Sequence, residues 1–258
     1  MPRFPALFLS HGAPTLLIEP SPARDFLARY GRELGPPEAI VVVSAHWETD
    51  RPRVTAAARP ETIHDFHGFP RALYEHRYPA PGSPELAGRI VGLLDGAGLL
   101  AGLDPRRGLD HGAWVPLALL YPEASTPTLQ VSVQPDLGPA RHLALGRALR
   151  PLRDEGVLVI GSGSLTHNLH DFRGHALEAP PEPYVVTFGD WVTAAIEEGR
   201  TQDLLAYRER APHAARAHPT EEHLLPLFAA MGAGHGPGRR VHASHTYGVL
   251  AMDVFAFA

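Results

Sequence analysis

The sequence predicts an α/β protein with one domain, residues 1–258, built on a central mostly parallel or mixed sheet that is flanked by helices. Three short apolar runs, at residues 6–10, 40–43 and 157–160, are typical of strands that are buried on both faces. Helical patterns lie between them, and this alternation favours parallel pairing. A chain of 258 residues is long enough to bury a large core in one domain.

The helices are predicted from their caps and from their apolar spacing. Ser21 and Ser83 are each followed by proline, which suits a serine N-cap with proline at the first helical position. The other predicted elements are strands at residues 53–57, 128–134 and 247–257, helices at residues 139–149 and 184–198, and a last helix that is capped by Thr220 and ends before Gly232.

The composition narrows the classes of function. A formal net charge of −5 argues against a nucleic-acid or anionic-membrane partner, because both require a dense basic patch. No apolar run approaches the roughly 20 residues of a membrane span and no signal-peptide pattern is present, so we expect a cytoplasmic protein without membrane contact. The absence of cysteine excludes disulfides, thiolate metal sites and cysteine nucleophiles.

Histidines stand at or just beyond the ends of the three apolar runs. His11 follows the first run, His46 the second and His167 the third. In open α/β sheets, ligands bind beyond the carboxyl ends of the strands, and a right-handed crossover would bring His11 and His46 to one edge. Imidazole suits iron, zinc, copper and nickel, so we predict a metal site at the strand C-terminal ends. A fourth segment supplies further candidate ligands: His218, Glu221, Glu222 and His223.

Two other kinds of site are rejected for residues 161–164, which read Gly-Ser-Gly-Ser. They lack the Lys-Ser/Thr ending of a phosphate-binding loop, and Leu165 stands where a nucleophile elbow requires glycine. By contrast, the long polar and aromatic segment at residues 63–81 is predicted to be an ordered loop that forms a wall or lid over the metal site.

Seven short motifs, spread in order over nearly the whole chain, carry a resemblance to a known family. They are His11-Gly12-Ala13-Pro14, Ser44-Ala45-His46-Trp47, Ile63-His64-Asp65-Phe66 with Gly68-Phe69-Pro70, Tyr78-Pro79-Ala80-Pro81-Gly82, Asp110-His111-Gly112-Ala113-Trp114, His167-Asn168-Leu169 and Pro219-Thr220-Glu221-Glu222-His223-Leu224-Leu225-Pro226-Leu227. Together they are similar to those of the DOPA-4,5-dioxygenase group of the class III (LigB-like) extradiol ring-cleaving dioxygenases. The resemblance implies a non-haem metal enzyme that opens a catechol-type ring next to its two hydroxyls with O2.

The resemblance also implies roles for individual residues. His11, His46 and His223 match metal ligands, and His167 matches the catalytic histidine, which in zinc-loaded relatives acts as a possible fourth ligand. His111 matches a second catalytic histidine, beside the metal or on the substrate. The residues expected to contact the substrate are His64, His111 and Asn168. Many class III relatives have a glutamate as third ligand, so alternatives to His223 stay open: Glu222, Glu221 and His218.

The chemistry that the resemblance implies uses a small aromatic diol and O2 as substrates. Fe(II) is expected for activity, and Zn(II) is expected to compete for the site because imidazole binds it more tightly than ferrous iron. His167 is expected to titrate near neutral pH, to take a phenolic proton and later to return one. Two other functions would use the same residues: a zinc-dependent hydrolase that activates water, and a non-catalytic metal-binding scaffold.

Overall fold

The computed structural model describes residues 3–172 and 174–258, whose strands form a large central sheet. The strands are β1 Ala6–Ser10, β2 Ala39–Glu48, β3 Arg53–Thr55, β4 Gly102–Asp104, β5 Thr128–Val133, β6 Val157–Gly163, β7 Gly238–His242, β8 His245–Thr246, β9 Leu250–Ala251 and β10 Val254–Phe257. Eight of them form one sheet in the order β4-β3-β5-β2-β6-β1-β10-β7, and β8 pairs with β9.

Helices cover both faces of this sheet. They are α1 Pro22–Leu34, α2 Arg71–Glu75, α3 Pro84–Gly96, α4 His111–Leu120, α5 Gly138–Leu149, α6 Pro183–Glu197, α7 Thr201–Leu205, α8 Tyr207–Arg210, α9 Ala214–Ala217 and α10 Leu225–Ala233. Ser21 and Ser83 cap α1 and α3 as predicted, since their hydroxyls accept backbone N–H groups of Arg24 and Leu86. Within the described ranges, none of the helices has the length and apolar character needed to cross a bilayer.

The centre of the sheet, from β5 through β2 and β6 to β1, is parallel, and antiparallel pairs follow on both sides, since β3 is antiparallel to β5. β2 pairs in parallel with β5 and β6, and β6 pairs in parallel with β1. β10 and β7 continue the sheet with antiparallel pairing. The predicted α/β class with a mostly parallel or mixed sheet is confirmed. The carboxyl ends of β1, β6 and β2 lie side by side, which is the arrangement that brings their histidines together.

The apolar run at residues 40–43 is buried on both faces because successive side chains of a strand point in opposite directions. Ile40 and Val42 belong to one core cluster, which includes residues of α1 and α4. Val41 and Val43 belong to the other cluster, which includes residues of α3, α5, α6 and α10. Each of these four side chains is at most 1% exposed, and burying one contributes about 1.5–3 kcal/mol.

The last helix differs from the prediction. α10 begins at Leu225 and not directly after Thr220. The Thr220 hydroxyl donates to the carboxylate of Glu222 at 3.1 Å instead of accepting a backbone N–H of a first helical turn. The residues before α10 therefore form a turn, and this turn carries His223.

The predicted final strand at residues 247–257 is interrupted. Tyr247 and Gly248 have φ angles of 54° and 65°, which lie in the left-handed region. This turn separates β8 from β9, and only the residues from Val254 onward join the central sheet.

Candidate metal centre and active site

Three imidazoles from distant parts of the chain converge at one end of the parallel strands. His11 follows β1, His46 lies near the end of β2, and His223 lies in the turn before α10. The Nε2 atom of His46 is 3.0 Å from Nε2 of His11 and 3.3 Å from Nε2 of His223. The structure therefore brings together the three residues expected to hold the metal. His46 lies inside β2 and not beyond it, because the strand continues through an irregular pairing to Glu48.

Two of these rings are fixed by acceptors on their outer nitrogen. Nδ1 of His11 is 3.0 Å from the Ser162 hydroxyl oxygen, and Nδ1 of His223 is 2.8 Å from Oε1 of Glu222. The Ser162 hydroxyl donates its own proton to the carbonyl of Gly112, so it accepts from His11. A proton on Nδ1 leaves the lone pair on Nε2, which is the arrangement that a metal ligand requires.

Burial lowers the pKa of all three imidazoles. For His11 and His223, burial is the main cause and neighbouring histidines add to it, so both pKa values lie well below 6.5. Burial, with a smaller contribution from His111, lowers the pKa of His46 to about 3. Neutral imidazole is the form that binds metal ions. Three convergent neutral nitrogens therefore fit a divalent transition metal such as iron or zinc.

Asp65 connects this cluster with His111. Its Oδ1 atom accepts the backbone N–H and the Nδ1–H of His111 at 3.0 and 2.9 Å, and its Oδ2 atom is 3.8 Å from Nδ1 of His46. Burial alone would raise the pKa of Asp65, but the hydrogen bonds and charge of His111 outweigh burial and lower it to about 2. The centroid of the His111 ring is 3.9 Å from that of His46. Asp65 thus holds a fourth histidine against the cluster.

A buried carboxylate positions His111 from the other side. Asp110 caps α4, and its side chain accepts hydrogen bonds from Ser44 and Gln130, both at 2.7 Å, and from Arg107 at 3.1 Å. Ser44 and Gln130 belong to the neighbouring strands β2 and β5. Because His111 is the first residue of α4, this network places its ring beside those of His11 and His46.

His167 lies in the loop after β6, with its ring stacked on that of His223. The two centroids are 3.4 Å apart and the ring planes differ by 10°. Burial lowers the pKa of His167 to about 4, against the opposing effect of Glu222, whose Oε1 is 4.0 Å from its Nδ1. The expectation that His167 titrates near neutral pH is therefore wrong for this structure, because the side chain is largely removed from water.

Backbone contacts bring the His167 loop and the His223 turn together. The N–H of Ser164 donates to the carbonyl of His223 at 2.9 Å, and the N–H of His167 donates to the carbonyl of Ala217 at 2.8 Å. Gly163 permits this approach, since a Cβ at that position would collide with the carbonyl oxygen of His223. Gly161 and Gly163 thus allow β6 to pack closely against the backbone of residues 223–226.

The loop at residues 63–81 places an aromatic cluster next to His111. The Phe66 ring lies 5.7 Å from the His111 ring in an edge-on arrangement. Tyr74 and Trp114 pack on Phe66 at centroid distances of 5.1 and 6.1 Å. His64 lies in the same cluster, and its Nε2 is 3.0 Å from a backbone carbonyl of the loop. The segment thus forms an apolar wall on the His111 side of the cluster.

The side chain of the other expected contact residue, Asn168, is engaged by backbone groups of α9 and of its own loop. Its Nδ2 donates to the carbonyl of Arg216 at 2.8 Å, and its Oδ1 accepts the N–H of His170 at 3.0 Å. The residue is 6% exposed. These contacts use both ends of the amide to hold the loop that carries His167.

The three residues considered in place of His223 as third ligand do not belong to the group of Nε2 atoms formed by His11, His46 and His223. Glu222 contacts His223 from its Nδ1 side, although it is also close enough to His167 and His223 to share a metal with them. Glu221 pairs with Arg208 at 3.2 Å. Nε2 of His218 lies 2.8 Å from the carbonyl of Leu165, in the core.

Sequence reasoning missed two polar residues of this site. Ser162 was considered only as a nucleophile, yet its hydroxyl holds His11 from 151 positions away along the chain. Asp65 lies within one of the quoted motifs, but its contact with His111 spans 46 positions. No spacing along the sequence indicates either of these contacts. The available signals were the position of Ser162 near the end of a predicted strand and the position of Asp65 in the predicted loop beside the site.

Comparison with known proteins identifies the family of the chain. Residues 5–255 match a family described as the catalytic LigB subunit of aromatic ring-opening dioxygenase. A relative from Portulaca grandiflora is 46% identical over 263 residues, covering 98% of this chain and 95% of its own, and one from Beta vulgaris is 44% identical over 261 residues, covering 97% and 95%. A relative from Escherichia coli (strain K12) is 42% identical over 238 residues, covering 91% and 86%.

All three relatives are named 4,5-DOPA dioxygenase extradiol. Among solved structures, an uncharacterized protein from Escherichia coli K12 superposes with a TM-score of 0.83 at 36% identity, covering 99% of this chain and 100% of that one. The family expected from the motifs is confirmed. The chain belongs to the LigB family of aromatic ring-opening dioxygenases.

Proposed function

We propose that this protein is an extradiol dioxygenase, which opens the ring of a catechol next to its two hydroxyls and inserts both atoms of O2. The observation that carries the proposal is the convergence of three neutral Nε2 atoms, of His11, His46 and His223, at distances of 3.0 and 3.3 Å. Family membership supplies the reaction class, and the histidine cluster supplies a site that fits the metal such a reaction uses.

His11, His46 and His223 are the proposed ligands, with Fe(II) as the active metal and Zn(II) as a competitor. Ferrous iron held by these three residues would supply a Lewis-acidic and redox-active centre for the reaction of a catechol with O2. His167 is a possible fourth ligand when zinc is present, since its ring stacks directly on that of His223.

His167 and His111 are the proposed catalytic residues. A neutral His167 can accept the proton of a phenolic hydroxyl and return a proton later, and its low pKa keeps it in the accepting form at pH 7. Asp65 accepts the Nδ1–H of His111, which leaves the Nε2 lone pair of His111 available to a substrate hydroxyl. The two residues thus serve proton transfer and substrate orientation respectively.

The proposed substrate class is a catechol with a side chain like that of DOPA, because three relatives that cover most of this chain carry that substrate in their names. The aromatic wall of Phe66, Tyr74 and Trp114 suits the ring of such a molecule. His64 and His111 are the proposed contacts on this side. We assign Asn168 to the loop, since its amide is already engaged there.

The test is anaerobic reconstitution of the metal-free protein with Fe(II) or Zn(II), followed by addition of DOPA and other catechols and then air. O2 uptake that requires iron, with the yellow absorption of a ring-opened semialdehyde, is the expected result. The His46→Ala variant is the control and should neither retain iron nor consume O2. Zinc-dependent ester or amide hydrolysis without O2 uptake would instead support the hydrolase, and metal binding without any turnover would support the scaffold.

A further inference from the structure

We infer that Glu222 is a positioning residue that orients a metal ligand and the catalytic histidine together. The inference rests on the proposed function, which makes His223 a ligand and His167 the proton acceptor. A single carboxylate oxygen, Oε1 of Glu222, lies 2.8 Å from Nδ1 of His223 and 4.0 Å from Nδ1 of His167. The same edge of both rings therefore faces one negatively charged group.

The contact with His223 has hydrogen-bond geometry. A carboxylate can only accept at neutral pH, so Nδ1 of His223 carries the proton and its lone pair lies on Nε2. That Nε2 atom is the one that faces Nε2 of His46. Carboxylates that accept from a metal-binding imidazole fix its tautomer and make it a stronger ligand. Glu222 therefore acts on the metal through His223.

The contact with His167 is electrostatic and depends on the stacking of the two rings. Their planes differ by only 10° and their centroids are 3.4 Å apart, so neither ring can turn without displacing the other. The charge of Glu222 favours a proton on the Nδ1 side of His167, where the carboxylate lies. This orientation leaves Nε2 of His167 as the atom that accepts the phenolic proton.

Glu222 is itself held for this role. The hydroxyl of Thr220 donates to the same Oε1 atom at 3.1 Å. The Glu222 side chain is only 14% exposed, so its charge is weakly screened by solvent. The turn of residues 220–223, which replaces the predicted first turn of the last helix, is what allows Thr220, Glu222 and His223 to meet.

Glu221 provides a matched control. It is the adjacent residue with the same side chain, but it pairs with Arg208 at 3.2 Å. Glu222→Gln and Glu221→Gln change the net charge of the chain equally and are both isosteric. Any difference between the two variants therefore reports the contacts of Glu222 with Thr220 and with the two histidines.

The experiment measures Zn(II) binding and the imidazole tautomers, without substrate. Zn(II) affinity is determined by chelator competition, and zinc-loaded protein with ¹⁵N-labelled histidine is studied by NMR. For Glu222→Gln we expect about 10-fold to 100-fold weaker Zn(II) binding at unchanged stoichiometry. We also expect the His223 Nδ1–H signal to shift upfield and the tautomer ratio of His167 to change. Glu222→Asp, which keeps the charge but withdraws the carboxylate, should show smaller changes of the same kind.

Two results would overturn the inference. One is a Glu222→Gln variant with the Zn(II) affinity and ring signals of wild type. The other is complete loss of zinc from Glu222→Gln, which would make Glu222 a ligand. A His223→Ala variant separates these failures from failure of the proposed function: a full equivalent of tightly bound zinc in His223→Ala contradicts the metal assignment, whatever Glu222→Gln does.

Discussion

The imidazole rings of His167 and His223 lie face to face, 3.4 Å apart between centroids, although one is proposed to carry protons and the other to hold the metal. The stacking places the proposed proton acceptor directly against one of the proposed metal ligands. Two residues that are 56 positions apart thus share one supporting contact, the carboxylate of Glu222.

Replacing His167 separates turnover from metal binding. His167→Gln removes the imidazole proposed to accept the phenolic proton but leaves His11, His46 and His223 in place. We expect kcat to fall by roughly 10²–10⁴-fold, which is the usual contribution of general acid–base catalysis. Iron content measured on the same samples should stay at the wild-type level. A variant with an unchanged kcat would remove His167 from the mechanism.

A methyl group added at Gly163 should displace the turn that carries His223 and so disturb the proposed metal site. Gly163→Ala places a Cβ against the carbonyl oxygen of His223, so the turn before α10 must move away from β6. We expect Zn(II) binding to weaken and the melting temperature to fall. Gly88→Ala is the control, because Gly88 is exposed in α3 with no atom within 4 Å of the added Cβ, and should stabilise the helix by about 0.5–1 kcal/mol. Equal effects of both substitutions would contradict this account.

The buried His142 should make the protein less stable at mildly acid pH. Its Nε2 accepts the N–H of Gln134 at 3.1 Å and its Nδ1 donates to the carbonyl of Gly138 at 2.8 Å, so only the neutral ring fits. Burial lowers its pKa to about 4. The folded pKa lies below the unfolded value near 6.5, so the unfolded chain binds more protons between pH 6.5 and 4.

The stability supplied by His142 is therefore present above pH 6.5 and is lost as the pH falls towards 4, with a total on the order of 3 kcal/mol. Urea unfolding of metal-free wild type and His142→Gln at several pH values checks this. The two curves should converge as the pH falls, because the glutamine does not titrate. His213→Gln, which changes an exposed histidine, should run parallel to wild type. Parallel curves for His142→Gln would contradict the assignment.

Arg153 should be the most costly arginine to replace. It is 1% exposed, and its guanidinium donates to the carbonyls of Phe4, Ala233 and Ala258. Arg153→Met leaves these carbonyls without their charged donor, and we expect the free energy of unfolding to fall by about 3–5 kcal/mol. Arg147→Met, at an exposed position of α5, should change it by about 0.5 kcal/mol or less. Urea denaturation measures both, and equal values would refute a special role for Arg153.

The elements that the sequence predicted well are those set by local chemistry. The run at residues 40–43 is buried because all of its side chains are apolar. The caps at Ser21 and Ser83 lie three residues from the N–H groups that they bind. The order of the strands is different, because placing β6 between β1 and β2 depends on contacts across more than 100 positions. Thr220 was predicted to cap a helix, but its hydroxyl donates to the nearby carboxylate of Glu222 instead. The local sequence does not decide between these two partners.

The same distinction applies to the site. His11, His46 and His167 could be found because each follows or ends a buried strand, and such ends meet at one edge of a sheet. The motifs added His223 through family resemblance. The Nδ1 partners Ser162 and Glu222 could not be assigned, because hydrogen bonding to one ring nitrogen depends on tertiary packing that no spacing rule describes. The low pKa of His167 was missed for the same reason, since burial causes it.

The place of β1 between β6 and β10 affects how the protein is made on the ribosome. Ala6 lies opposite Phe257, so β1 pairs with a strand that is 251 positions away along the chain. Pairings this distant in sequence form slowly, because a long loop must close first. One edge of β1 therefore stays unpaired until β10 has been synthesised, and until then it is open to aggregation or chaperones. His11 follows that strand, so the position of this proposed metal ligand also depends on a pairing that forms late.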